Sequence, residues 1–80
     1  MGIYKIIMPE MGDAIKEAKI SNWCKNPGDD IKQDEILFEI TTDKVESEIP
    51  SAVSGKLVKI YFKQGQVAKV GQVIGEIELD

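Results

Sequence analysis

The amino-acid sequence predicts an all-β domain, a flattened barrel or sandwich of two short antiparallel sheets related by a quasi-twofold axis. Three observations lead to this prediction. No stretch of about twelve residues places apolar side chains at the helical spacing i, i+3, i+4 and i+7, whereas period-two alternation recurs along the chain. Gly and Pro divide the chain into short segments. One segment recurs later in the chain, which indicates an internal structural repeat.

Six strands are predicted, three from alternation of side chains and three from shorter apolar runs. In chain order they cover residues 3–8, 18–23, 36–41, 44–49, 56–62 and 73–79. Strict alternation puts Leu37 and Phe38 on opposite faces of their strand. The 80 residues, 42% of them hydrophobic, suffice for one domain with a single core, in which we place Trp23.

Two turns are specified by their residues. The segment NPGD at residues 26–29 predicts a type II turn, because Pro presets the first central residue and Gly accepts the positive φ of the second. The segment TDKV at residues 42–45 joins two predicted strands and lacks the Gly or Asn that a type I′ turn favours. We therefore expect a type I turn there, with Lys44 at an exposed hairpin tip.

The internal repeat sets the expected symmetry. GDDIKQDEILFEI (residues 28–40) aligns without gaps on GQVAKVGQVIGEI (residues 65–77), with Gly, Lys, Glu and Ile identical at four positions. At the same offset, Lys44 would have its equivalent one residue beyond Asp80. A twofold axis through two packed sheets therefore relates the Lys44 turn to the end of the last strand. We expect the two to lie at opposite ends of the domain.

Composition and charge exclude several classes of function. The net charge of −4 argues against nucleic acid as a partner, since that binding depends on clustered cations. With no His and only Cys24, imidazole-based catalysis, standard structural zinc sites and an internal disulfide are excluded. The acidic segment at residues 29–35 lacks the spacing of an EF-hand and is interpreted as a solvated turn. No apolar run is long enough to span a bilayer, and the N-terminus lacks the features of a signal peptide.

Lys44 is distinguished by position alone. The chain has ten Lys and no Arg, so chemical type does not separate this lysine from the other nine. The alternative interpretation is a solvated charge on an ordinary turn. Because so few groups could perform catalysis, the composition favours a non-catalytic module that carries a chemical group or binds a partner.

An ordered set of short motifs points to a known family. The stretches MPEMGDAIKEAKISNW, EILFEITT and TTDKVESEIPS contain its elements. In sequence order these are Met8-Pro9, Gly12-Asp13, Trp23, Gly28-Asp29, Thr42-Asp43-Lys44, Ile49-Pro50 and Gly55. Over essentially its whole length the chain resembles the lipoyl domain of the dihydrolipoyl acyltransferase component of 2-oxo acid dehydrogenase complexes. It departs from the family pattern at Ala52, where Pro is common, and at Thr41.

The resemblance implies that lipoic acid is joined covalently to Lys44 through an amide. The dithiolane ring would then lie at the end of a flexible arm of roughly 12 to 15 Å, about ten single bonds. Such a domain is a swinging-arm carrier and not itself an enzyme. It would receive an acyl group from a thiamine-dependent 2-oxo acid decarboxylase, present it to the acyltransferase core for transfer to coenzyme A, and be reoxidised by dihydrolipoyl dehydrogenase.

The resemblance also implies which residues meet these partners. A lipoate ligase or lipoyl transferase would recognise the turn, with Asp43 and Val45 setting the geometry around Lys44. The loop after the first strand would contribute to recognition by the decarboxylase. Its residues here are Glu10, Met11, Gly12, Asp13, Ala14 and Ile15. Purely structural roles are the alternative for each: Gly12 in its turn, Asp43 as a hydrogen-bond acceptor and Val45 in packing.

Other carriers share this fold in part. A biotin carrier domain usually has Met on both sides of its lysine, where this chain has Asp43 and Val45. The carrier of the glycine-cleavage system is longer and has extra helical segments. A third alternative is an unmodified lipoyl-like domain that acts in assembly or as an adaptor, which would not need Thr-Asp-Lys at the tip.

The resemblance further predicts the context of the domain. Residues 1–80 are expected to be a single lipoyl domain from the N-terminus of a larger multidomain acyltransferase. We expect the isolated domain to be monomeric and cytoplasmic, or in the mitochondrial matrix after removal of a transit peptide, without a membrane partner. The sequence does not specify the 2-oxo acid, the state of Lys44 or the rest of the parent chain.

Overall fold

The computed structural model describes residues 2–80, so Met1 of the predicted domain lies outside the described residues. In this range every regular element is a β-strand, and no helix is long and apolar enough to cross a membrane. The strands are β1 (Ile3–Ile7), β2 (Glu17–Trp23), β3 (Asp30–Ile31), β4 (Ile36–Thr41), β5 (Glu46–Pro50), β6 (Gly55–Ile60), β7 (Val67–Lys69) and β8 (Val73–Leu79). The predicted all-β class is confirmed.

The strands form two four-stranded sheets. Their orders are β1-β8-β6-β3 and β5-β4-β2-β7, and the strand pairs are antiparallel. Exchanging β1 with β5, β8 with β4, β6 with β2 and β3 with β7 converts one order into the other. The two sheets are therefore built to the same plan, as the predicted sandwich requires.

Hydrogen bonds outside the strand ladders confirm the quasi-twofold repeat. The Gly28 N–H donates to the Leu57 carbonyl at 2.7 Å, and the equivalent bond from Gly65 to Ile20 is also 2.7 Å. Both glycines have positive φ, 99° and 91°. The equivalence extends to the hairpin tip, where Thr42 N–H donates to the Val45 carbonyl at 2.8 Å. Its counterpart joins Leu79 N–H to the Gly2 carbonyl at 2.9 Å. The hairpin tip therefore corresponds to the place where β1 and β8 end.

The strands differ from the sequence prediction in number, in bounds and in the facing of two side chains. The short strands β3 and β7 were not predicted, because two or three residues are too few for a periodic pattern. The fifth strand begins at Glu46, after Lys44 and Val45. The prediction that Leu37 and Phe38 face opposite ways is wrong, since both are buried. The register of β4 on β5 shifts between Ile36 and Phe38, and this irregularity turns adjacent side chains to the same side.

The core lies between the sheets and uses hydrophobic side chains, mostly aliphatic, from both. Its buried members are Ile6, Met8, Ala18, Ile20, Ile31, Leu37, Phe38, Ile40, Leu57, Ala68, Ile74 and Ile77. Trp23 packs against this cluster as predicted, with its ring centroid 5.1 Å from that of Phe38, and it donates from Nε1 to the Phe62 carbonyl at 2.8 Å. Burial of each large side chain contributes about 1.5 to 3 kcal/mol. The loops are therefore attached to two sheets that share one packed core.

The type II turn predicted at residues 26–29 is confirmed. The Asp29 N–H donates to the Asn26 carbonyl at 3.0 Å, and Gly28 supplies the positive φ that the third position needs. The Asp29 side chain also accepts from the Asn26 N–H at 2.8 Å. This turn leads from β2 into β3.

Candidate functional site

Lys44 lies at the tip of the hairpin that joins β4 to β5. The ladder of this hairpin ends at the pair Thr41 and Glu46, so the next four residues extend beyond the sheet. Asp43 and Lys44 are exposed, and neither has a positive φ. A type I′ turn is therefore excluded, in agreement with the expected negative φ values. The strands hold the lysine on a two-residue tip away from the core.

The Thr42 side chain holds this tip together. Its Oγ1 accepts from the Val45 N–H at 3.1 Å and from the Lys44 N–H at 3.3 Å. The same hydroxyl lies 3.5 Å from the Val45 carbonyl, to which it can donate. The sequence motif Thr42-Asp43-Lys44 includes this residue, but its role as a hydrogen-bond acceptor was not predicted. A Thr two residues before an exposed tip position was the available signal, since Thr hydroxyls often bond to nearby main chain.

The Lys44 ammonium is accessible for chemical modification. The side chain is exposed, and among residues 2–80 it forms no ion pair with a carboxylate. By contrast, Lys25 contacts the Glu35 carboxylate at 3.2 Å. An amine that is free of partners and held at a tip fits the requirement for acylation by an enzyme that must surround it. The site therefore fits a cofactor joined through an amide to Lys44.

Part of the loop after β1 reaches the tip. An open groove beside the lysine is lined by Ala14, Ile15, Lys16, Glu17, Thr42, Asp43 and Lys44. The structure thus brings Ala14 and Ile15, two of the predicted recognition residues, together with Asp43 and Lys44. Their side chains give the groove an apolar wall beside Lys44.

The other predicted loop residues lie in two different environments. Glu10, Gly12 and Asp13 line a neighbouring groove with Ile15 and side chains of the β7 region. Met11 is half-buried and packs against the core, which indicates a structural role. The turn in this loop is closed by the Ile15 N–H, which donates to the Gly12 carbonyl at 3.1 Å, and Gly12 has a φ of 117°. Gly12 therefore has a conformational role as well as an exposed position.

The residues beside Lys44 do not form a tightly packed cluster. Val45 is 38% exposed, so its side chain is only partly packed. The Asp43 carboxylate accepts no hydrogen bond from the part of the chain that the structure describes. Val45 therefore keeps part of its packing, Asp43 shows no such hydrogen bond, and the roles of both residues stay predictions. Both side chains are available for contact with a partner.

The sheet that carries the tip has an acidic outer surface. Glu39 and Glu48 lie directly opposite each other on β4 and β5. The repeat equivalent of Glu39 is Glu76, which instead lies opposite Lys5 and Lys59 in the other sheet. Burial raises the pKa of the nearby Cys24 thiol, and the carboxylates of Glu39 and Glu48 raise it further. Glu76 therefore has a lysine on each neighbouring strand, whereas Glu39 has a carboxylate on one side and Asn22 on the other.

Neither geometry nor residue type supports a metal site. Within residues 2–80 no group of three or more Cys, Asp or Glu side chains is placed to hold a metal ion. The acidic outer surface consists of carboxylates on separate strands and does not converge on one point.

Comparison with known proteins decides the family. A sequence family described as "Biotin-requiring enzyme", the biotin and lipoyl attachment domains, matches residues 4–77. The chain belongs to this family. The match includes all eight strands except the ends of β1 and β8. The match therefore also includes the hairpin that carries Lys44.

Relatives within the family are components of 2-oxo acid dehydrogenase complexes. The succinyltransferase component of the 2-oxoglutarate dehydrogenase complex of Rickettsia conorii is 45% identical over 73 residues, 91% of this chain and 18% of the relative. The acetyltransferase component of the pyruvate dehydrogenase complex of Corynebacterium glutamicum is 44% identical over 70 residues, 88% of this chain and 10% of the relative. The lipoamide acyltransferase component of the branched-chain complex of Bacillus subtilis is 35% identical over 80 residues, 100% of this chain and 19% of the relative. The chain therefore spans a fifth or less of each of these relatives.

A solved structure supports the same assignment. The lipoyl domain of the 2-oxoglutarate dehydrogenase complex of Azotobacter vinelandii matches with a TM-score of 0.76 and 28% identity, over 92% of this chain and 94% of that one. The urea carboxylase of Kluyveromyces lactis matches with a TM-score of 0.79 over 98% of this chain and 6% of that one, but at 18% identity shows only the shared fold. The predicted resemblance to lipoyl domains of acyltransferases is confirmed. The roles of individual site residues stay predictions.

Proposed function

We propose that Lys44 is the attachment point for lipoic acid and that the domain carries this group as a swinging arm. The observation that supports the proposal best is the position of Lys44, which is exposed at a hairpin tip and forms no ion pair with any residue from 2 to 80. The family includes biotin carriers as well, but the relatives described above are acyltransferases of 2-oxo acid dehydrogenase complexes. Asp43 and Val45 beside the lysine also differ from the Met residues usual in biotin carriers.

The chain contributes attachment and presentation. When bound, the dithiolane would accept an acyl group from a thiamine-dependent decarboxylase, pass it to coenzyme A at the acyltransferase core and be reoxidised by dihydrolipoyl dehydrogenase. Lys44 would hold the group through an amide, which removes the ammonium charge. The rigid sheets behind the tip keep the arm directed into solvent, where large partner enzymes can reach it.

Partner recognition is proposed to use the surfaces on either side of the tip. Asp43 and Val45 would meet the ligase or transferase that modifies Lys44. Ala14 and Ile15 share a groove with the tip and would contact the decarboxylase together with the arm. Glu10, Gly12 and Asp13 lie one groove further away and would contact the same enzyme at the edge of the interface.

The context of the domain is part of the proposal. We place it in a larger acyltransferase chain, in the cytoplasm or the mitochondrial matrix, where complexes of this kind would supply the decarboxylase and the dehydrogenase. The three relatives act in complexes for 2-oxoglutarate, pyruvate and branched-chain 2-oxo acids. They do not favour one of these substrates for this chain.

Intact-mass spectrometry tests the proposal directly. The unmodified domain is incubated with lipoic acid, ATP and a lipoate ligase, and in parallel with biotin, ATP and a biotin ligase. We expect a gain of one lipoyl unit and no gain of biotin. Lys44→Ala should abolish the gain, whereas Lys63→Ala, which removes an exposed lysine elsewhere, should leave it unchanged.

The outcomes separate the alternatives. A gain of biotin alone would replace the lipoyl carrier with a biotin carrier. A folded, unmodified domain that gains neither group would overturn the carrier function and favour the role in assembly.

A further inference from the structure

We infer that Thr42 is a positioning residue for modification of Lys44, acting through its hydroxyl group. This inference rests on the proposed attachment of a cofactor to Lys44. It assigns to Thr42 the task of holding the lysine in the conformation that the modifying ligase binds. Thr42 itself does not contact the ligase chemistry and has no role in acyl transfer.

The hydrogen bonds of the tip differ from those of an ordinary β-turn. In an ordinary β-turn, the carbonyl of the first residue accepts from the N–H of the fourth. Here the Val45 N–H donates instead to Thr42 Oγ1 at 3.1 Å, and the Lys44 N–H donates to the same oxygen at 3.3 Å. One side-chain oxygen thus takes over the role of the main-chain acceptor.

Few other interactions hold the main chain of this tip in one conformation. The main-chain bond from Thr42 N–H to the Val45 carbonyl, 2.8 Å long, closes its base. Neither Gly nor Asn is present to favour a tight hairpin turn, and the Asp43 side chain makes no hydrogen bond within residues 2–80. The two peptide groups that flank Lys44, one on each side, therefore depend on Thr42 Oγ1 for their orientation.

The orientation of these peptide groups determines how Lys44 is presented to the ligase. The main-chain conformation of Lys44 sets the direction in which its side chain leaves the tip. If the hydroxyl is removed, the tip populates several conformations, and the apparent affinity for the ligase falls by the fraction that remains competent. The loss should therefore appear in KM, with kcat nearly unchanged. A net hydrogen bond of ordinary strength corresponds to about a fivefold change, and two such bonds correspond to about thirtyfold.

Three variants isolate the hydroxyl. Thr42→Val keeps the branched shape and removes the acceptor, whereas Thr42→Ser keeps the acceptor and removes the methyl group. Thr41→Val is the matched control, because Thr41 is the adjacent residue and its hydroxyl donates to the Thr42 carbonyl at 3.3 Å without accepting from the tip. Steady-state lipoylation of each domain is followed by intact mass, after thermal unfolding shows that each is folded.

We expect Thr42→Val to raise the KM of the domain for the ligase about five- to thirtyfold. Thr42→Ser should restore it to within about twofold, and Thr41→Val should leave it unchanged. Equal kinetics for Thr42→Val and the parent would overturn the inference while leaving the carrier function intact. An equal loss in Thr41→Val would also overturn it, since the effect would then belong to the hairpin in general.

Amide hydrogen exchange in the parent domain provides a test that needs no variant. The N–H groups of Lys44 and Val45 should exchange more slowly than that of Asp43, relative to their rates in an unstructured peptide, because only the first two donate to Thr42 Oγ1. Equal protection of all three would contradict the inference. This measurement stays valid if Lys44 is never lipoylated, so failure of the proposed function can be recognised separately.

Discussion

Replacing Gly55 with alanine should destabilise the domain strongly, because the added methyl group meets main-chain atoms of β8. Gly55 begins β6, is buried and pairs with Leu79. A Cβ at this position would lie 2.2 Å from the Glu78 carbonyl oxygen and 2.8 Å from Ile77 Cγ2. Contacts below 3.0 Å are essentially never found for a real Cβ, so β6 and β8 must move apart. Main chain cannot rotate away as the end of a flexible side chain can.

The cost can be worked from this geometry. Separation of the strands would break or stretch one or two main-chain hydrogen bonds, each with a net value of about 0.5 to 1.5 kcal/mol. Strain from the displaced core adds about 1 to 3 kcal/mol. We expect a total near 3 kcal/mol, which in a domain of this size lowers the Tm by about 12 to 24 °C. That is a large share of the stability of an 80-residue domain, roughly 4 to 12 kcal/mol.

Urea and thermal unfolding followed by Trp23 fluorescence would measure this change. Gly2→Ala is the matched control, because a Cβ at Gly2 would meet only Leu79 Cδ1, at 3.8 Å. It should change the free energy of unfolding by less than about 0.5 kcal/mol. A Gly55→Ala domain that unfolds within about 1 kcal/mol of the parent, with an unchanged m-value, would show that β6 and β8 accommodate the methyl group without this strain.

Three further predictions concern charge and hydrogen bonding. Glu48→Gln removes a like-charge pair across β4 and β5 and should raise the free energy of unfolding by about 0.2 to 1 kcal/mol at low salt, and by less at high salt. The hydrogen bond from the Lys32 N–H lowers the pKa of Glu35 most, and the hydrogen bond from the Lys25 ammonium lowers it further. Because the pKa is lower in the folded state than in the unfolded state, the ionised carboxylate stabilises the fold at pH values above its ordinary pKa. Glu35→Gln should therefore lower the urea midpoint at pH 7, and the difference should vanish as pH falls through the lowered pKa. Trp23→Phe removes the hydrogen bond from Trp23 Nε1 to the Phe62 carbonyl. It should lower the free energy of unfolding, measured in urea, by about 1 to 3 kcal/mol.

Each of these has an outcome that would contradict it. Destabilisation by Glu48→Gln would mean that the opposed carboxylates do not repel. A Glu35→Gln difference that persists unchanged below the titration range would assign the effect to packing and not to charge. Unchanged stability in Trp23→Phe would show that the carbonyl finds another donor at no cost.

Much of the fold is contained in local patterns that a sequence displays. Alternation of apolar and polar side chains has a period of two only in strands, so six of the eight strands could be predicted from residue order. The repeat between residues 28–40 and 65–77 predicted the equivalence of the sheets, because equal turns at equal spacing produce equal connections. The NPGD turn followed from the φ preferences of Pro and Gly alone.

The residues of the candidate site could be predicted from the sequence, but their arrangement on the surface could not. The ordered motifs pointed to Lys44 and to the loop after β1. They did not show that Ala14 and Ile15 share a groove with the lysine, that Glu10 and Asp13 lie one groove away, or that Met11 packs inward. These differences depend on how the loop crosses the end of the sandwich, which is decided by contacts with strands remote in the chain.

The all-β class, the twofold arrangement of the sheets and the exposed hairpin with its lysine could all be predicted from the sequence. Each depends on periodicity, turn chemistry or residue identity within a short segment. Only the tertiary structure decided that Leu37 and Phe38 both face the core and that Gly55 is pressed against β8. It also decided that Glu39 faces Glu48. The physical reason is register: which atoms meet across two strands is set by pairing between distant segments, and a shift of one residue reverses the face of every side chain.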